Sequence, residues 1–253
     1  VAKSKAEAET GSVLWDNLRT LFYALLIAGG IRSFAFEPFH IPSESMLPTL
    51  LVGDYLFVSK FAYGYSRFSM PYSPPLFSGR VLENVPERGD VAVFRYPGDT
   101  SIDYIKRVIG LPGDRVQMKD GELWLNGERV PRRRVADFEQ RDRYGNLRRE
   151  RQYEESLPGG RTYLTLDMNI SDGDNTPVFT VPVGHYFVMG DNRDNSQDSR
   201  FQVISGGVGF LPAQNLVGRA NIRWISVDDS AVLLKPWTWA GALRFGRMFT
   251  SIH

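Results

Sequence analysis

Three stretches of this 253-residue chain concentrate side chains that can do chemistry. The first is Phe39-His-Ile-Pro-Ser-Glu-Ser-Met-Leu-Pro-Thr-Leu-Leu-Val-Gly-Asp54, with Ser43 and Ser45 between two prolines. The second is Tyr104-Ile-Lys-Arg-Val-Ile109, which sets Lys106 and Arg107 inside an otherwise apolar run. The third is Gly190-Asp-Asn-Arg-Asp-Asn-Ser-Gln-Asp-Ser-Arg-Phe201. A serine hydroxyl attacks only when a base stands within hydrogen-bond reach. Cysteine is absent, which removes thiolate catalysis, disulfides and cysteine-based zinc sites; His40, His185 and His253 are the only imidazoles, so a Ser-His-Asp triad is short of material. Lysine, aspartate and glutamate remain as bases.

Lys106 is the informative one. In a strand, alternation puts it on one face with Tyr104 and Val108, and Arg107 on the other with Ile105 and Ile109, so at least one cation is expected to be partly buried. Burial disfavours the ammonium form and can lower a fully buried lysine's pKa by about 3 to 5 pH units, which is what a base near neutrality needs. The competing expectation is a lysine snorkelling from a half-exposed strand. The polar loop has two readings of its own, an exposed turn or a buried hydrogen-bond network in which Asp198 and Arg200 pair. It is no EF-hand. Read from Asp191 a ligand position is taken by Arg193, and read from Asp194 the required Gly and Glu positions hold Ser199 and Ser205.

The elements that must position these groups follow from pattern. Pro42 and Pro48 restrict themselves and their predecessors, which predicts an extended, stiff Ser43–Leu47. Ahead of it, Leu21 to Ile31 is uncharged between Arg19 and Arg32, and with snorkelling arginines and Trp15, Phe34 and Phe36 at the two interfaces the span reaches about 22 residues. A single membrane helix is expected there; no Ala-x-Ala site follows the run, as a cleaved signal peptide would require. Short β-branched and aromatic runs follow at 55–61, 90–96, 102–109, 163–166, 178–181, 185–189 and 216–227. Three further runs, 115–119, 122–125 and 128–130, pair across Asp120-Gly121 and Asn126-Gly127, dipeptides that favour type I′ hairpins. With no helix repeating between strands, the fold class is mostly β, an antiparallel sheet or barrel preceded by one helix.

The expected organisation is a segment 1–12 that is mobile or a short polar helix, a membrane helix 13–36, a catalytic β domain 37–128 with 177–253, and an arginine-rich, β-rich insertion 129–176. Between Arg129 and Arg151 lie nine arginines against four acids, a balance of +5. With acids interleaved and no recognition helix or stacking motif, a solvated surface excursion is favoured over a nucleic-acid footprint. Residues 62 to 86 form a second excursion, and the tail from Lys235 to Phe249 is read equally as a membrane-surface segment or a helix closing the core. The formal net charge of +1 gives no global pull toward nucleic acid.

The three clusters, together with Arg88-Gly-Asp-Val-Ala-Val-Phe94, the continuation Gly110-Leu-Pro-Gly-Asp114 and the preceding apolar helix, resemble the ordered boxes of bacterial type I signal peptidases over roughly residues 20 to 226. The resemblance implies a Ser/Lys serine endopeptidase, free of metal and cofactor, that removes signal peptides after small residues in an Ala-x-Ala pattern. It implies Ser45 as nucleophile, Lys106 as general base, and an oxyanion hole made of the Ser45 N–H and the Ser43 hydroxyl. Ser196 matches the serine that orients the lysine, supported by Asp198 and Arg200. Phe39, Ile41, Pro42, Met46, Leu50, Tyr104 and Ile105 match the walls of shallow pockets for alanine-sized residues. Implied partners are signal peptides and the bilayer, near the protein-export channel, with the catalytic domain outside the bacterial plasma membrane on a single pass; Lys3, Lys5 and Arg19 favour an inner N-terminus.

Glu44, between the two serines, departs from the family, which more often has a small residue there. Two other classes stay open at this point: a self-cleaving Ser/Lys repressor, disfavoured by the short stretch ahead of the serine loop, and a membrane-tethered β-barrel binding module in which the polar loops are structural.

Overall fold

The structure, a computed structural model, describes residues 2–70, 73, 77–141, 146–228 and 239–252. Helix α1 (Ala2–Phe34) begins ahead of the apolar run, since the Ala, Lys and Glu of its first turns are strong helix formers. The stretch 2–12, expected to be mobile or a short polar helix, is helical and continuous with the apolar run. From Trp15 to Phe34 its large apolar side chains are 48% to 69% exposed. Among the described residues no helix is long and apolar enough to cross a membrane.

Beyond α1 the chain is antiparallel β. β1 (Phe36–His40), β2 (Asp54–Ser59), β3 (Val91–Tyr96) and β4 (Asp99–Gly110) are followed by the hairpin strands β5 (Arg115–Lys119), β6 (Glu122–Leu125) and β7 (Glu128–Arg129). β8 (Arg132–Arg134), β9 (Phe138–Arg141), β10 (Leu147–Glu150), β11 (Gln152–Ser156) and β12 (Thr162–Leu166) make up the arginine-rich excursion. The chain returns through β13 (Phe179–Thr180), β14 (His185–Met189), β15 (Leu211–Pro212) and β16 (Leu216–Ser226), then a short α2 (Trp239–Ala242) and β17 (Thr250–Ser251).

The main sheet has the order β1-β2-β16-β3-β4-β14-β15, with β17 added on β16. It is an open sheet whose end strands β1 and β15 do not pair. Both predicted hairpins form, and both turns carry the two positive φ angles that type I′ demands: Asp120 48° and Gly121 74°, Asn126 55° and Gly127 88°. β13-β5-β6-β7 form a second sheet, β12-β11-β8 a third, and β9 with β10 an isolated hairpin.

Apolar clusters cover both faces of the main sheet around β4. Ile109 packs with Val116, Leu123 and Phe187, while Val108 packs on the opposite side with Ala92, Phe94 and Tyr186. The second half of β4 is therefore buried on both faces, where alternation alone allows one. A third cluster, including Ile41, Met46, Leu50, Val93 and Ile105, fills the space behind the serine loop. The excursion is no solvated appendage either, because its Val130, Leu157 and Tyr163 share the cluster of Ile109. Its arginines face acids: Arg132 pairs with Asp167, Arg133 with Glu154, Arg134 with Asp137 and Arg149 with Glu139.

Of the tail, residues 235–238 fall outside the described ones. The described part folds back onto the sheet: Ala242 is buried, Arg247 donates to Asp54 Oδ2 at 2.8 Å, and Phe245 and Phe249 stay exposed.

Candidate active site

β1 leads into the serine loop and β2 leads out of it. The loop is not the extended segment its prolines predict. Leu47 N–H donates to Glu44 O at 3.1 Å and Leu50 N–H to Met46 O at 2.8 Å, so residues 44–50 close as consecutive turns. Proline restricts only itself and its predecessor, which leaves 43–46 free to curl. The loop is held by burial, since Met46 and Leu50 are fully buried, worth about 1.5–3 kcal/mol each. From the other side Arg223 Nη2 and Arg247 Nη2 donate to Thr49 O at 2.8 and 3.1 Å.

Ser45 sits on the first of these turns, 7% exposed, and Lys106 Nζ lies 2.5 Å from its Oγ. Two residues 61 apart in sequence are thus in direct contact between the serine loop and β4. Lys106 is 4% exposed, which disposes of the snorkelling alternative. Burial lowers its pKa to about 8, and the nearby Asp198 and Asp191 pull back against that fall. The amine is therefore neutral in a useful fraction of molecules near pH 7 to 8. Ser43 Oγ stands 3.4 Å from Ser45 Oγ.

Arg107 takes the opposite face of β4 and is fully buried. Its Nε and Nη2 donate to the two oxygens of Asp191 at 2.8 and 2.7 Å, and Thr49 Oγ1 donates to Asp191 Oδ2 at 2.5 Å. Asp191 thereby fastens the serine loop to the lysine strand. The next residue adds a backbone tie, Asn192 N–H to Ser45 O at 3.1 Å.

The polar loop is a buried network rather than an exposed turn. Arg200 Nε and Nη2 each donate to an oxygen of Asp198 at 2.9 Å, and Gly190 N–H donates to Asp198 Oδ2 at 3.0 Å. Burial raises the Asp198 carboxyl, but the Arg200 cation and these hydrogen bonds outweigh it and hold the pKa below the ordinary value. Ser196 Oγ is buried and has no hydrogen-bond partner among the described residues, so no hydrogen bond joins it to the lysine that the resemblance has it orient. Gly190 lies between this serine and the nucleophile. A Cβ on it would come within 2.3 Å of Ser196 Oγ and 2.5 Å of Ser45 O, so the backbone approaches too closely for any side chain.

A cleft of about 530 Å³ opens beside the pair. Phe39, Ile41, Pro42, Tyr104 and Ile105 line it as expected, together with Ser43, Ser45 and Lys106. Met46 and Leu50 do not line it; they belong to the core behind the wall, because the curl of 44–50 turns them inward. His40, Val93, Ile102, Asp103 and Gln197 are walls that sequence reasoning missed. Val93 was within reach of it, since β3 neighbours β4 and pairs Val93 with Ile105. What the arrangement can do chemically is narrow. A neutral amine next to a serine hydroxyl, with a second hydroxyl alongside and an apolar trough leading in, suits acyl transfer from an extended peptide.

Comparison with known proteins agrees with this chemistry. The family model described as signal peptidase, peptidase S26, matches residues 14–225. The chain belongs to that family. Signal peptidase I of Rickettsia typhi is 37% identical, with 99% of this chain and 98% of the relative covered. Signal peptidase I of Rickettsia canadensis is 38% identical, with 98% and 97% covered. A solved signal peptidase I from Enterococcus faecalis V583 is 27% identical over 54% of this chain and 97% of its own, at a TM-score of 0.32. The glutamate between the serines, unlike the rest of the serine loop, is not explained by the dyad.

Proposed function

We propose that Ser45 is the nucleophile and Lys106 the general base of this signal peptidase. The protein is a serine endopeptidase that cleaves signal peptides from preproteins, and neither the self-cleaving repressor nor the non-catalytic binding module fits its family. The observation that carries the residue assignment is the 2.5 Å contact between a buried lysine, its pKa lowered to about 8, and a serine hydroxyl at the head of the cleft.

The neutral Lys106 amine takes the Ser45 proton as Oγ attacks the carbonyl after an alanine-sized residue. The Ser45 N–H and the Ser43 hydroxyl donate to the oxyanion that develops, where donors fixed in place need no reorganisation. The lysine ammonium then returns the proton to the leaving amine, freeing the mature chain, and water repeats the cycle on the acyl-serine. Asp198 and Arg200 hold Gly190 and so the back of the site, and Ser196 lies next to it. The apolar walls Phe39, Ile41, Pro42, Tyr104 and Ile105 select by excluding bulk, since alanine offers no polar handle.

Membrane attachment on the outer side of a bacterial plasma membrane, close to the export channel, belongs to the same proposal. Its support is the apolar surface of α1 from Trp15 to Phe34, whose large side chains are exposed to solvent. Arg19 and Arg32 can snorkel and lengthen its reach into lipid. The purified chain should cleave an Ala-x-Ala preprotein and the Ser45→Ala and Lys106→Ala variants should not; near wild-type cleavage by either refutes the dyad. Introducing lysines at Leu25 and Ile27 should release the protein from vesicles, and undiminished flotation would refute the anchor.

A further inference from the structure

Glu44 stands between the nucleophile and the second serine, yet its side chain takes no part in the dyad or in the cleft wall. It turns the other way, where Oε2 accepts from Asn195 Nδ2 at 3.1 Å and from Arg148 Nη1 at 3.2 Å. Arg148 comes from β10 in the arginine-rich excursion, more than a hundred residues away in sequence, and also pairs with Glu150 on the same strand. The carboxylate is half-buried and so accessible to a passing chain. The excursion therefore reaches the immediate neighbour of the nucleophile.

The charge in this corner is uneven. Glu150 is pushed up from its ordinary pKa, by burial first and then by the negative Glu44 and Asp194, with Arg148 opposing. Two carboxylates thus bear on Glu150, with the Arg148 guanidinium opposing them. An extended substrate has two halves on either side of its scissile bond. The apolar cleft, formed by the chain before Ser45 and by β4, takes the small residues of the signal-peptide half. Each further residue advances the chain by about 3.3 Å, so the first residues of the mature half must pass the opposite side of Ser45. Glu44, next to Ser45 in the chain and absent from the cleft wall, is an acid that this half can meet.

We propose that Glu44, held by Arg148 and Asn195, reads the first residue after the scissile bond and makes this protease favour a basic side chain over an acidic one there. The proposal rests on the Ser45/Lys106 reading, since it needs the scissile bond at Ser45. Half-exposed charges a few ångströms apart are partly screened, so the expected preference of lysine over aspartate is about tenfold.

The test uses three preproteins that share one signal peptide ending in Ala-x-Ala and differ only in the following residue, Lys, Ser or Asp, with kcat/KM measured for the full chain. The Lys/Asp ratio is read because it cancels differences in the fraction of folded enzyme. Wild type should give about tenfold, Glu44→Gln should bring it to about threefold or less, and Arg148→Gln should raise it above wild type. A wild-type ratio near one overturns the proposal and leaves the dyad standing. So does a ratio that survives unchanged in Glu44→Gln while kcat/KM falls equally for the Lys and Asp substrates, which is what a merely structural role would produce. Failure to cleave any of the three removes the proteolytic reading and this proposal with it.

Discussion

Replacing Lys106 by methionine should abolish cleavage and make the protein more stable. The ammonium sits 4% exposed, and its pKa falls from the ordinary 10.5 to about 8, chiefly by burial. That fall corresponds to about 3 kcal/mol of penalty on the charged form relative to the unfolded chain. Methionine fills a similar volume without a charge and gives up the contact to Ser45, the cation over the Tyr104 ring and the attraction of Asp198 and Asp191, so a net gain of about 1–2 kcal/mol is expected at pH 7. The pH dependence makes the argument specific. Below about pH 8 the lysine is protonated in both folded and unfolded chains, and the stability difference between variant and wild type is flat. Between about 8 and 10.5 the folded wild type has lost its proton while the unfolded chain still binds one, so wild type gains on the variant by about 1.4 kcal/mol per pH unit. Urea denaturation of both proteins across pH 6 to 10 reads the difference directly, and other titrating groups cancel between them. A variant less stable than wild type at pH 7, or a difference that does not shrink above pH 8, would refute the account of a lysine neutralised by burial.

Wild-type kcat/KM should fall about tenfold per pH unit below pH 7 as Lys106 is protonated; a flat acid limb would exclude a lysine base. Ser43→Ala should lower kcat by about a hundred- to a thousandfold with little change in KM, the pattern of a donor used only in the transition state; an equal loss in KM would assign it to binding. Gly190→Ala forces a Cβ to within 2.5 Å of the Ser45 carbonyl and should destabilise by about 1–3 kcal/mol and depress kcat, measured by urea midpoint and single-turnover cleavage. Asp191→Ala strips both carboxylate contacts from the buried Arg107 fork and should cost about 3–5 kcal/mol, whereas a value below 1 kcal/mol would mean that the fork does not anchor the loop.

Local geometry was legible where the sequence is locally committed. The Asp-Gly and Asn-Gly turns fix two hairpins, and β5, β6 and β14 fall on the residues that alternation marked out. Ser45, Lys106 and the Asp198–Arg200 pair were singled out by residue type and by resemblance, and the fold brings the first two into contact. What escaped was set by neighbours far away in sequence. The serine loop curls because Met46 and Leu50 find a core to enter, and no proline rule contains that core. β4 is covered twice because separate parts of the chain pack on its two faces, which periodicity along one strand cannot register. The arginine-rich excursion read as solvated surface by composition, and only its pairing to specific acids and the reach of Arg148 to Glu44 give it a place next to the site.

One property of β4 reaches further than its length suggests. Adjacent positions carry the two long cations, and the pleat sends Lys106 toward Ser45 and Arg107 toward Asp191. The pairings Ala92 with Lys106 and Val91 with Arg107, and Met189 with Arg107, lock that phase. Adding or deleting one residue between Asp99 and Tyr104 leaves the phase intact if the slack is absorbed in the exposed first half of the strand. Between Tyr104 and Lys106 either change exchanges the two faces: an insertion turns the lysine away from the serine, and a deletion presents it with the Arg107 guanidinium, which holds its proton at any working pH. Chemistry in this protein thus has a parity: an odd slip of the ladder silences it while leaving every residue present.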